Sequence, residues 1–423
     1  MALLFLGCTK KSRTPWAYVK EIKNLFKNNV FTHGRTLLKI TNLICEIYRW
    51  SRPHQITNGS NTYGDGILLL LRVTTNEGIT GHGWLGGTAA ERPLEIFSSY
   101  IPYYRQRILN RDPQDSAAIF TDLEHEHIKT FGFSGAHGQL TGAINCALWD
   151  IKGQIANKPV HALLSGDDTP KKVRGYIAGG YYYGNDGEPE GLARLQEELR
   201  YNVETLKTHS VKIKIGNPSA GIDIDTKRVA ASREAIGPNI ELMVDVNCAF
   251  KDADTAIAYA KAIEPYDIFW LEEPFRPDAF DLHRQLTEAT PIPIATGENM
   301  YTVPHFKEFI SQGSMHMVNA DVAIMTGGYD AGMDVWALAK EKGCHLAPHG
   351  CQELQCHYVA AADPEGGRLE IYPPHLDPER DKVFPVALAL DENGYASIPN
   401  EPGIGLIPNR EALKQHLVFT SEK

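Results

Sequence analysis

The sequence predicts a protein of the α/β class that folds as a β/α barrel. Short apolar runs rich in β-branched residues recur along the chain, about one strand, one loop and one helix apart, which is the repeat of such a barrel. Each run ends in charged or hydrogen-bonding residues, and active sites of β/α barrels lie where the strands end. These strand-end segments are Lys212-Ile213-Lys214, Asp245-Val246-Asn247, Glu272-Glu273-Pro274, Gly297-Glu298-Asn299, Asp321, His349 and Glu370.

The first strand of the barrel is predicted at Val173-Arg174-Gly175-Tyr176, upstream of these segments. The loop that follows it is rich in glycine and tyrosine and is expected at the catalytic face. Apolar residues at three- and four-residue spacing predict helices between the later strands. These helices are expected at residues 256–263, 280–286, 305–310 and 334–340.

Three acidic residues at the ends of successive strands are candidate metal ligands. Asp245, Glu272 and Glu298 are separated by 27 and 26 residues, so they are expected to converge at one edge of the barrel. Oxygen ligands of this kind suit Mg²⁺, which keeps open positions for substrate oxygens. The neighbouring Glu273 must point to the opposite side of the strand from Glu272. The prediction is therefore one Mg²⁺ per subunit, held by these three residues.

An amine and an imidazole flank the acids in strand order. Lys214 ends the strand before the first acid, His349 lies two strands after the last one, and Asp321 lies on the strand between. A base and an acid on opposite sides of a metal suit removal of a proton next to a carboxylate, because the metal stabilises the ene-diolate that forms. Each residue alone would also fit a surface or structural role, but the ordered set favours a catalytic centre.

This ordered set resembles the enolase superfamily, and more narrowly the mandelate-racemase-like branch of the mandelate racemase/muconate lactonizing enzyme family. The resemblance rests on "VKIKIG", "MVDVN", "WLEEP", "ATGEN", "NADVAIMTGG" and "LAPHG", in that order, and covers most of the chain from about Leu38. It implies a modified TIM barrel, (β/α)7β, with an α+β capping domain formed by the N-terminal segment and the C-terminal tail. The implied cap is residues 38–166 plus 372–423, and the implied catalytic barrel is residues 167–371.

The resemblance also implies roles for single residues. Lys214 is the base on one face of the substrate, and the adjacent Lys212 lowers its pKa or contacts the substrate carboxylate. His349, oriented by Asp321, is the catalyst on the other face, and Glu370 binds a substrate carboxylate oxygen. Other large branches carry a lysine on strand six, where this sequence reads "VAIM". That difference argues against muconate-cycloisomerase-like and dipeptide-epimerase-like activity.

The N-terminal region predicts loops that contact the substrate. Residues 67–74 and 79–84 read as the strands of a hairpin around Asn76-Glu77-Gly78. The resemblance implies that residues 52–65 and 86–92 are loops that close over the barrel mouth. The candidate substrate contacts are Asn247, His54, Tyr63, Tyr183, Trp84 and Arg92. The alternative for each loop residue is that it is an ordinary surface residue and does not contact the substrate.

A dehydratase and a racemase of hydroxy acids share the first step, which is removal of the α-proton. The polar loops around Asn58, Asn61 and Tyr181 to Tyr183 suit a substrate with several hydroxyls. We therefore expect a dehydratase of a sugar acid, aldonate or aldarate, that yields a 2-keto-3-deoxy acid, with Lys214 as base and His349 as acid. A racemase or epimerase of a 2-hydroxy acid is the alternative enzyme, and a barrel that only binds a ligand is the non-enzymatic one.

Composition limits the partners and the compartment. The chain has 423 residues, a net charge of −10 and seven cysteines with no C-x-x-C pair. We expect no nucleic-acid or membrane partner, and a reducing, cytoplasmic location. The resemblance implies a homo-oligomer. Residues 1–37 are basic and are interpreted as a dispensable N-terminal extension, with a transit peptide or a lipoprotein signal ending at Cys8 as alternatives.

Overall fold

The structure is a computed structural model that describes residues 37–89, 94–125, 132–386 and 388–422. Most of the predicted extension, residues 1–36, and the candidate contact Arg92 lie outside the described residues. Lys39–Lys423 form one compact unit. Within the described part, no helix is both long and apolar enough to cross a lipid bilayer.

The strands are named β1 to β13 in chain order. They are β1 (Ile40–Thr57), β2 (Thr62–Thr75), β3 (Thr80–Ala89), β4 (Lys172–Ala178), β5 (Ser210–Lys214), β6 (Glu241–Asp245), β7 (Ile268–Glu272), β8 (Ile294–Thr296), β9 (Met317–Val318), β10 (His345–Leu346), β11 (Leu369–Ile371), β12 (Tyr395–Ser397) and β13 (Leu417–Thr420).

The α-helices are named in the same way. They are α1 (Leu94–Ile108), α2 (Ser116–His125), α3 (Ala136–Ala156), α4 (Val160–Ser165), α5 (Pro189–Glu204), α6 (Gly221–Ile236), α7 (Ala253–Ile263), α8 (Phe280–Ala289), α9 (Val303–Ser311), α10 (Gly328–Glu341), α11 (Gln352–Ala362), α12 (Pro378–Val383) and α13 (Arg410–Leu413). The four helices expected between barrel strands correspond to α7 to α10, each one longer than predicted.

The barrel is a curled sheet of parallel strands in the order β10-β9-β8-β7-β6-β5-β4-β11. Helices α5 to α11 alternate with these strands in the chain, so the described residues form a (β/α)7β unit. The two end strands approach each other where the Arg368 N–H donates to the Leu346 carbonyl at 2.8 Å. The predicted fold class, a modified TIM barrel with a capping sheet, is confirmed.

The interior of the barrel is a packed core beneath the strand ends. Buried side chains from alternate positions of successive strands fill it, as is usual for this architecture. Tyr176 and Trp270 pack edge to face with ring centroids 5.3 Å apart. The buried members of this cluster are Tyr176, Ala178, Met243, Trp270, Ala295, Met317 and Ala347.

The cap is an antiparallel sheet in the order β13-β1-β2-β3. The connection between its first two strands is shorter than predicted, because most of the expected loop 52–65 belongs to β1 and β2. Ser51 pairs with Asp65, and pairing resumes at Ile56 opposite Tyr63 after a register shift. The irregular residues between contain Pro53, which has no N–H to donate to a ladder. Only the short connection at residues 58–61 remains outside the strands.

Helix α3 joins the cap to the barrel. A Cβ at Gly83 of β3 would lie 1.9 Å from the Ala143 carbonyl oxygen, so glycine permits close packing of β3 on this helix. On its other side, a Cβ at Gly142 would lie 2.5 Å from the carbonyl oxygen of Met325 in the barrel. The helix ends at Ala156, and its C-cap Asn157 has a left-handed φ of 52°.

The C-terminal tail packs on both parts of the fold. Strand β13 pairs with β1 of the cap, as expected for a tail that returns to the cap. Strand β12, however, pairs antiparallel with β4 of the barrel, with Tyr395 opposite Arg174. The backbone of Gly175 also donates to the Gly394 carbonyl at 3.0 Å. Part of the tail therefore lies on the barrel, which differs from the prediction that the whole tail packs on the cap.

Candidate active site

The strand ends of β5, β6 and β7 meet in register. Lys214 is the pairing partner of Asp245, and Asp245 is the pairing partner of Glu272. Neighbouring residues in parallel register point to the same side of the sheet, so the three side chains face one space at the C-terminal edge of the barrel. The predicted strand-end residues are thus brought together by the register of the sheet.

The three acidic side chains form a cluster suited to a cation. Ligand oxygens of Asp245, Glu272 and Glu298 all lie within 4.8 Å of one another. Asp245 and Glu272 are fully buried. Among the described residues, Glu298 Oε2 is buried without a hydrogen-bond partner. An unpartnered carboxylate oxygen is costly to bury, and a bound cation would remove that cost.

The electrostatics of this cluster agree with its geometry. Burial, together with the nearby charge of Asp245, raises the pKa of Glu272 to about 8, although Lys212 opposes the shift. Burial also raises the pKa of Glu298 to about 7, despite the opposing effect of His349. Carboxylates this close repel one another when ionised. The donor set therefore fits Mg²⁺, a hard cation with oxygen ligands and room for substrate oxygens.

Lys212 lies at the base of the cluster and links it to Glu370. Its Nζ is 2.5 Å from Glu272 Oε1, 2.9 Å from Glu370 Oε1 and 3.7 Å from Asp245 Oδ2. Burial acts to lower the pKa of Lys212, but Glu272 and Glu370 outweigh it and raise that pKa well above its usual value. Glu370 in turn has its pKa lowered to about 2, because Lys212 and His349 outweigh the effect of its burial.

Lys214 lies on one side of the cluster and His349 on the other. The ammonium group of Lys214 contacts the carboxylate of Asp245, and the ring of Tyr181 lies 5.4 Å from the same nitrogen. His349 Nε2 lies 4.0 Å from Glu298 Oε2. In the order of the strands around the barrel, the amine of Lys214 lies before the acidic cluster and the imidazole of His349 lies after it.

His349 is held by an acidic partner, as expected. Its Nδ1 lies 3.1 Å from Asp321 Oδ2. Burial acts to lower the pKa of His349, but Glu298 and Asp321 outweigh it and raise that pKa to about 10. The imidazole is therefore protonated at neutral pH in the structure as it stands. Its Nε2 lies toward the acidic cluster, 4.0 Å from Glu298 Oε2.

Asn247 and Glu273 support the ligands from the loops after β6 and β7. The backbone N–H of Asn247 donates to Asp245 Oδ1 at 2.9 Å, and its side-chain amide donates to Asp245 Oδ2 at 3.3 Å. Glu273 points away from the cluster and accepts hydrogen bonds from Thr296 Oγ1 at 2.9 Å and the Asn299 amide at 2.8 Å. It thereby fixes the loop that carries Glu298. Sequence reasoning gave this carboxylate no role.

The predicted substrate contacts fall in different places. Asn247 and Tyr63 line an open pocket of about 520 Å³ at the barrel mouth, together with Glu298. The cap reaches this pocket through Ser60, whose hydroxyl donates to the Asn247 carbonyl at 2.5 Å. His54 and Tyr183 instead line a separate surface pocket of about 700 Å³ that contains none of the acidic ligands. The structure therefore does not bring those two residues to the cluster.

Trp84, a candidate substrate contact, and Cys248, the residue after Asn247, have other surroundings. Trp84 is buried and lines a narrow cavity beneath the cap. Cys248 donates its thiol to Glu273 Oε2 at 2.7 Å. Burial, with the charge of Glu273 adding to it, raises the pKa of this thiol far above its usual value. Cys248 is therefore a hydrogen-bond donor and not a thiolate nucleophile.

Two family models match the chain. Residues 39–165 match the mandelate racemase/muconate lactonizing enzyme N-terminal domain, and residues 194–412 match the enolase C-terminal domain-like model. Among curated proteins, the chain is 30% identical over 343 residues to an arabinonate dehydratase from Saccharolobus solfataricus, covering 80% of this chain and 87% of that protein. It is 29% identical over 395 residues to a 3,6-anhydro-α-L-galactonate cycloisomerase from Streptomyces coelicolor, covering 87% and 96%.

A solved structure gives the same relationship in three dimensions. An L-talarate/galactarate dehydratase variant with bound Mg and L-glucarate superposes with a TM-score of 0.80 at 25% identity, over 93% of this chain and 95% of that one. The acidic cluster described above and the magnesium in such relatives confirm the predicted Mg²⁺ cofactor. The chain is therefore an enzyme that belongs to the mandelate racemase/muconate lactonizing enzyme family of the enolase superfamily.

Proposed function

We propose that this enzyme is a Mg²⁺-dependent hydro-lyase that dehydrates a sugar acid to a 2-keto-3-deoxy acid. The observation that carries the proposal is the arrangement of Lys214 and His349 on opposite sides of the Asp245, Glu272 and Glu298 cluster. Such a pair can remove a proton from one carbon and supply a proton to a group that leaves from the next.

The site residues would divide the reaction as follows. Lys214 takes the proton from the carbon next to the substrate carboxylate. His349 donates its proton to the hydroxyl on the adjacent carbon, which leaves as water, and the resulting enol becomes the 2-keto acid. Glu370 is fixed by Lys212 and by the Gly350 N–H, each at 2.9 Å, and its proposed contact with a substrate carboxylate oxygen requires a proton on one of the two carboxyl groups.

Asp245, Glu272 and Glu298 would hold the magnesium ion. When bound, Mg²⁺ supplies positive charge that stabilises the negative charge developing on the substrate carboxylate. The cation would also take over the charge of Asp245, which now pairs with Lys214. In the metal-free protein, burial and the neighbouring Lys212 act to lower the pKa of Lys214, but Asp245 outweighs them and raises that pKa above its usual value. Loss of Asp245 as a partner therefore favours the neutral amine that a base requires.

The substrate class is supported by the relatives and by the mouth pocket. The arabinonate dehydratase and the L-talarate/galactarate dehydratase act on sugar acids, as their names state. The mouth pocket presents amide and hydroxyl groups from Asn58, Ser60, Asn61 and Tyr63. Polar groups of this kind suit a chain of hydroxyls better than an apolar ring. The substrate is therefore proposed to be an aldonate or an aldarate.

The test is a semicarbazide assay for 2-keto acid over a stereochemical panel of aldonates and aldarates. We expect a signal for one or a few configurations with Mg²⁺, and its loss with excess chelator. Lys214→Ala and His349→Asn should abolish the signal. His345→Asn is the matched control, because His345 lies in β10 near His349 but is exposed and pairs with Asp363 at 3.0 Å. It should retain activity.

Two outcomes would replace the proposal. Solvent deuterium at the α-carbon without 2-keto acid would indicate a racemase or epimerase with the same residues. No product and no exchange with any substrate, while Mg²⁺ still binds, would indicate a barrel that only binds a ligand.

We also propose a cytoplasmic homo-oligomer, which fractionation and light scattering would test. The free cysteines among the described residues, from Cys45 to Cys356, agree with a reducing compartment.

A further inference from the structure

A narrow cavity of about 40 Å³ lies between the cap and the barrel. Its barrel side includes Tyr181, whose ring lies 5.4 Å from Lys214 Nζ, and Cys351, two residues after His349. Its cap side includes Arg52 and Asp377. A water molecule needs about 10–15 Å³ by this measure, so the cavity has room for the end of a substrate chain.

Arg52 and Asp377 form a buried pair with unused hydrogen-bonding capacity. Their side chains are 6% and 7% exposed, and Arg52 Nη2 lies 3.2 Å from Asp377 Oδ2. The pair is not aligned for a hydrogen bond, because Arg52 Nε and Asp377 Oδ2 both remain without a hydrogen-bond partner in the described structure. One donor and one acceptor, both buried, are therefore available side by side. That combination matches a hydroxyl group, which both donates and accepts.

The cavity has no spare positive charge. Arg52 is offset by Asp377, whose other oxygen accepts from the Trp50 indole at 2.8 Å. Arg380, the second arginine of the lining, donates through Nη2 to both carboxylate oxygens of Glu353, at 2.7 and 2.8 Å. A second carboxylate placed here would face Asp377 and would find each guanidinium already paired. A hydroxyl has no charge, so placing it beside Asp377 causes no electrostatic repulsion.

We propose that Arg52 and Asp377 bind the terminal hydroxyl end of the substrate, so that the enzyme acts on aldonates, which carry one carboxylate, in preference to aldarates, which carry two. This inference rests on the proposed dehydratase function, because the reacting carboxylate must lie at the Mg²⁺ end. The pair determines specificity for the far end of the chain and takes no part in the proton transfers.

The test uses matched substrates that differ only at the last carbon, such as gluconate with glucarate and galactonate with galactarate. For the configuration that reacts, kcat/KM for the aldonate should exceed that for the aldarate by about tenfold or more. In Asp377→Asn this ratio should fall about tenfold, because the amide removes the like charge and offers an N–H to a carboxylate. Glu379 lies in helix α12, of which Asp377 is the N-cap, but its carboxylate pairs with Lys382 and His416 and does not line the cavity. Glu379→Gln should therefore leave the ratio unchanged.

The ratio remains informative if Asp377→Asn is less stable, since both substrates are measured on one preparation and the folded fraction cancels. Arg52→Lys is the second variant: it keeps the charge but loses Nε, and it should raise KM for the aldonate with little change in kcat. A wild-type preference for the aldarate, or a ratio unaffected by Asp377→Asn, would overturn this inference while dehydration stands. Failure to dehydrate either member of every pair would instead refute the proposed function.

Discussion

Asp321 holds His349 through one carboxylate oxygen while its other oxygen is fixed by the protein. Asp321 Oδ2 lies 3.1 Å from His349 Nδ1, and Asp321 Oδ1 accepts from the Ala323 N–H at 2.7 Å and from the Gln355 amide at 2.6 Å. A carboxylate held in this way fixes the ring orientation and stabilises the protonated imidazole. His349 therefore presents Nε2 to the acidic cluster.

Asp321→Asn should reduce kcat by about 10- to 100-fold with a smaller change in KM. The pH dependence should also change in a defined direction. An acid catalyst is active while protonated, so activity falls as the pH rises through its pKa. Because Asp321 helps to raise the pKa of His349, its loss should move the basic limb of the pH–rate profile to lower pH. A purely structural Asp321 would lower activity equally at every pH.

Glu298→Gln should separate metal binding from stability. Calorimetric titration should show Mg²⁺ affinity reduced by about tenfold or more, because one anionic ligand is lost. The metal-free variant should be as stable as the metal-free wild type, or more stable, since a carboxylate in a repelling cluster has been neutralised. Glu288→Gln, which removes an exposed partner of Arg284, is the control and should change neither quantity. A marked loss of stability would indicate a structural role for Glu298.

The stabilisation by Mg²⁺ should increase with pH. In the metal-free protein Glu272 and Glu298 have pKa values raised to about 8 and 7, above those of the unfolded chain. The folded state therefore holds more protons, and its stability is lost as the pH rises from about 4.5 toward 8. A bound cation removes this loss. Thermal unfolding with and without Mg²⁺ should thus show a larger shift in Tm at pH 8 than at pH 6, and an equal shift would contradict this account.

His357 should make the protein sensitive to acid. Its Nε2–H donates to the Ile404 carbonyl at 2.8 Å and its Nδ1 accepts from the His161 N–H at 3.3 Å, so the ring is satisfied only when neutral. Burial lowers its pKa to about 3. The unfolded chain protonates this residue below about pH 6.5, so the stability it confers is lost as the pH falls.

The size of the His357 effect can be measured by denaturant unfolding at pH 7.5 and pH 5.5. Over that range this one residue should account for about 1.4 kcal/mol of the lost unfolding free energy. His357→Gln should therefore lose about 1.4 kcal/mol less than the wild type over the same range, although it is less stable at pH 7.5. Parallel losses in the two proteins would show that His357 does not titrate on unfolding.

The strand-end residues could be predicted because their order along the chain becomes their order around the barrel. Lys214, Asp245 and Glu272 each end a strand, and parallel register then brings them together without any information on distant contacts. Side-chain alternation separated Glu272 from Glu273 for the same reason. Local sequence was sufficient for this part of the site.

The cap could not be predicted to the same depth. Arg52 and Asp377 are 325 residues apart, and no local pattern indicates that they form a pair. His54 and Tyr183 were expected at the substrate but line another pocket, and His54 lies in β1, which continues through the expected loop. Packing between residues that are far apart in the sequence sets these positions, and no local sequence pattern predicts such packing.

The central claim is that Lys214 removes the α-proton and that His349 donates the proton needed for loss of water. It is tested most directly by NMR in deuterated water with an active substrate, Mg²⁺ and two variants. His349→Asn should exchange the α-proton for deuterium while forming no 2-keto acid, because Lys214 is intact and the leaving hydroxyl lacks its acid. Lys214→Ala should do neither. Exchange by Lys214→Ala together with its absence in His349→Asn would contradict the account and would make His349 the base.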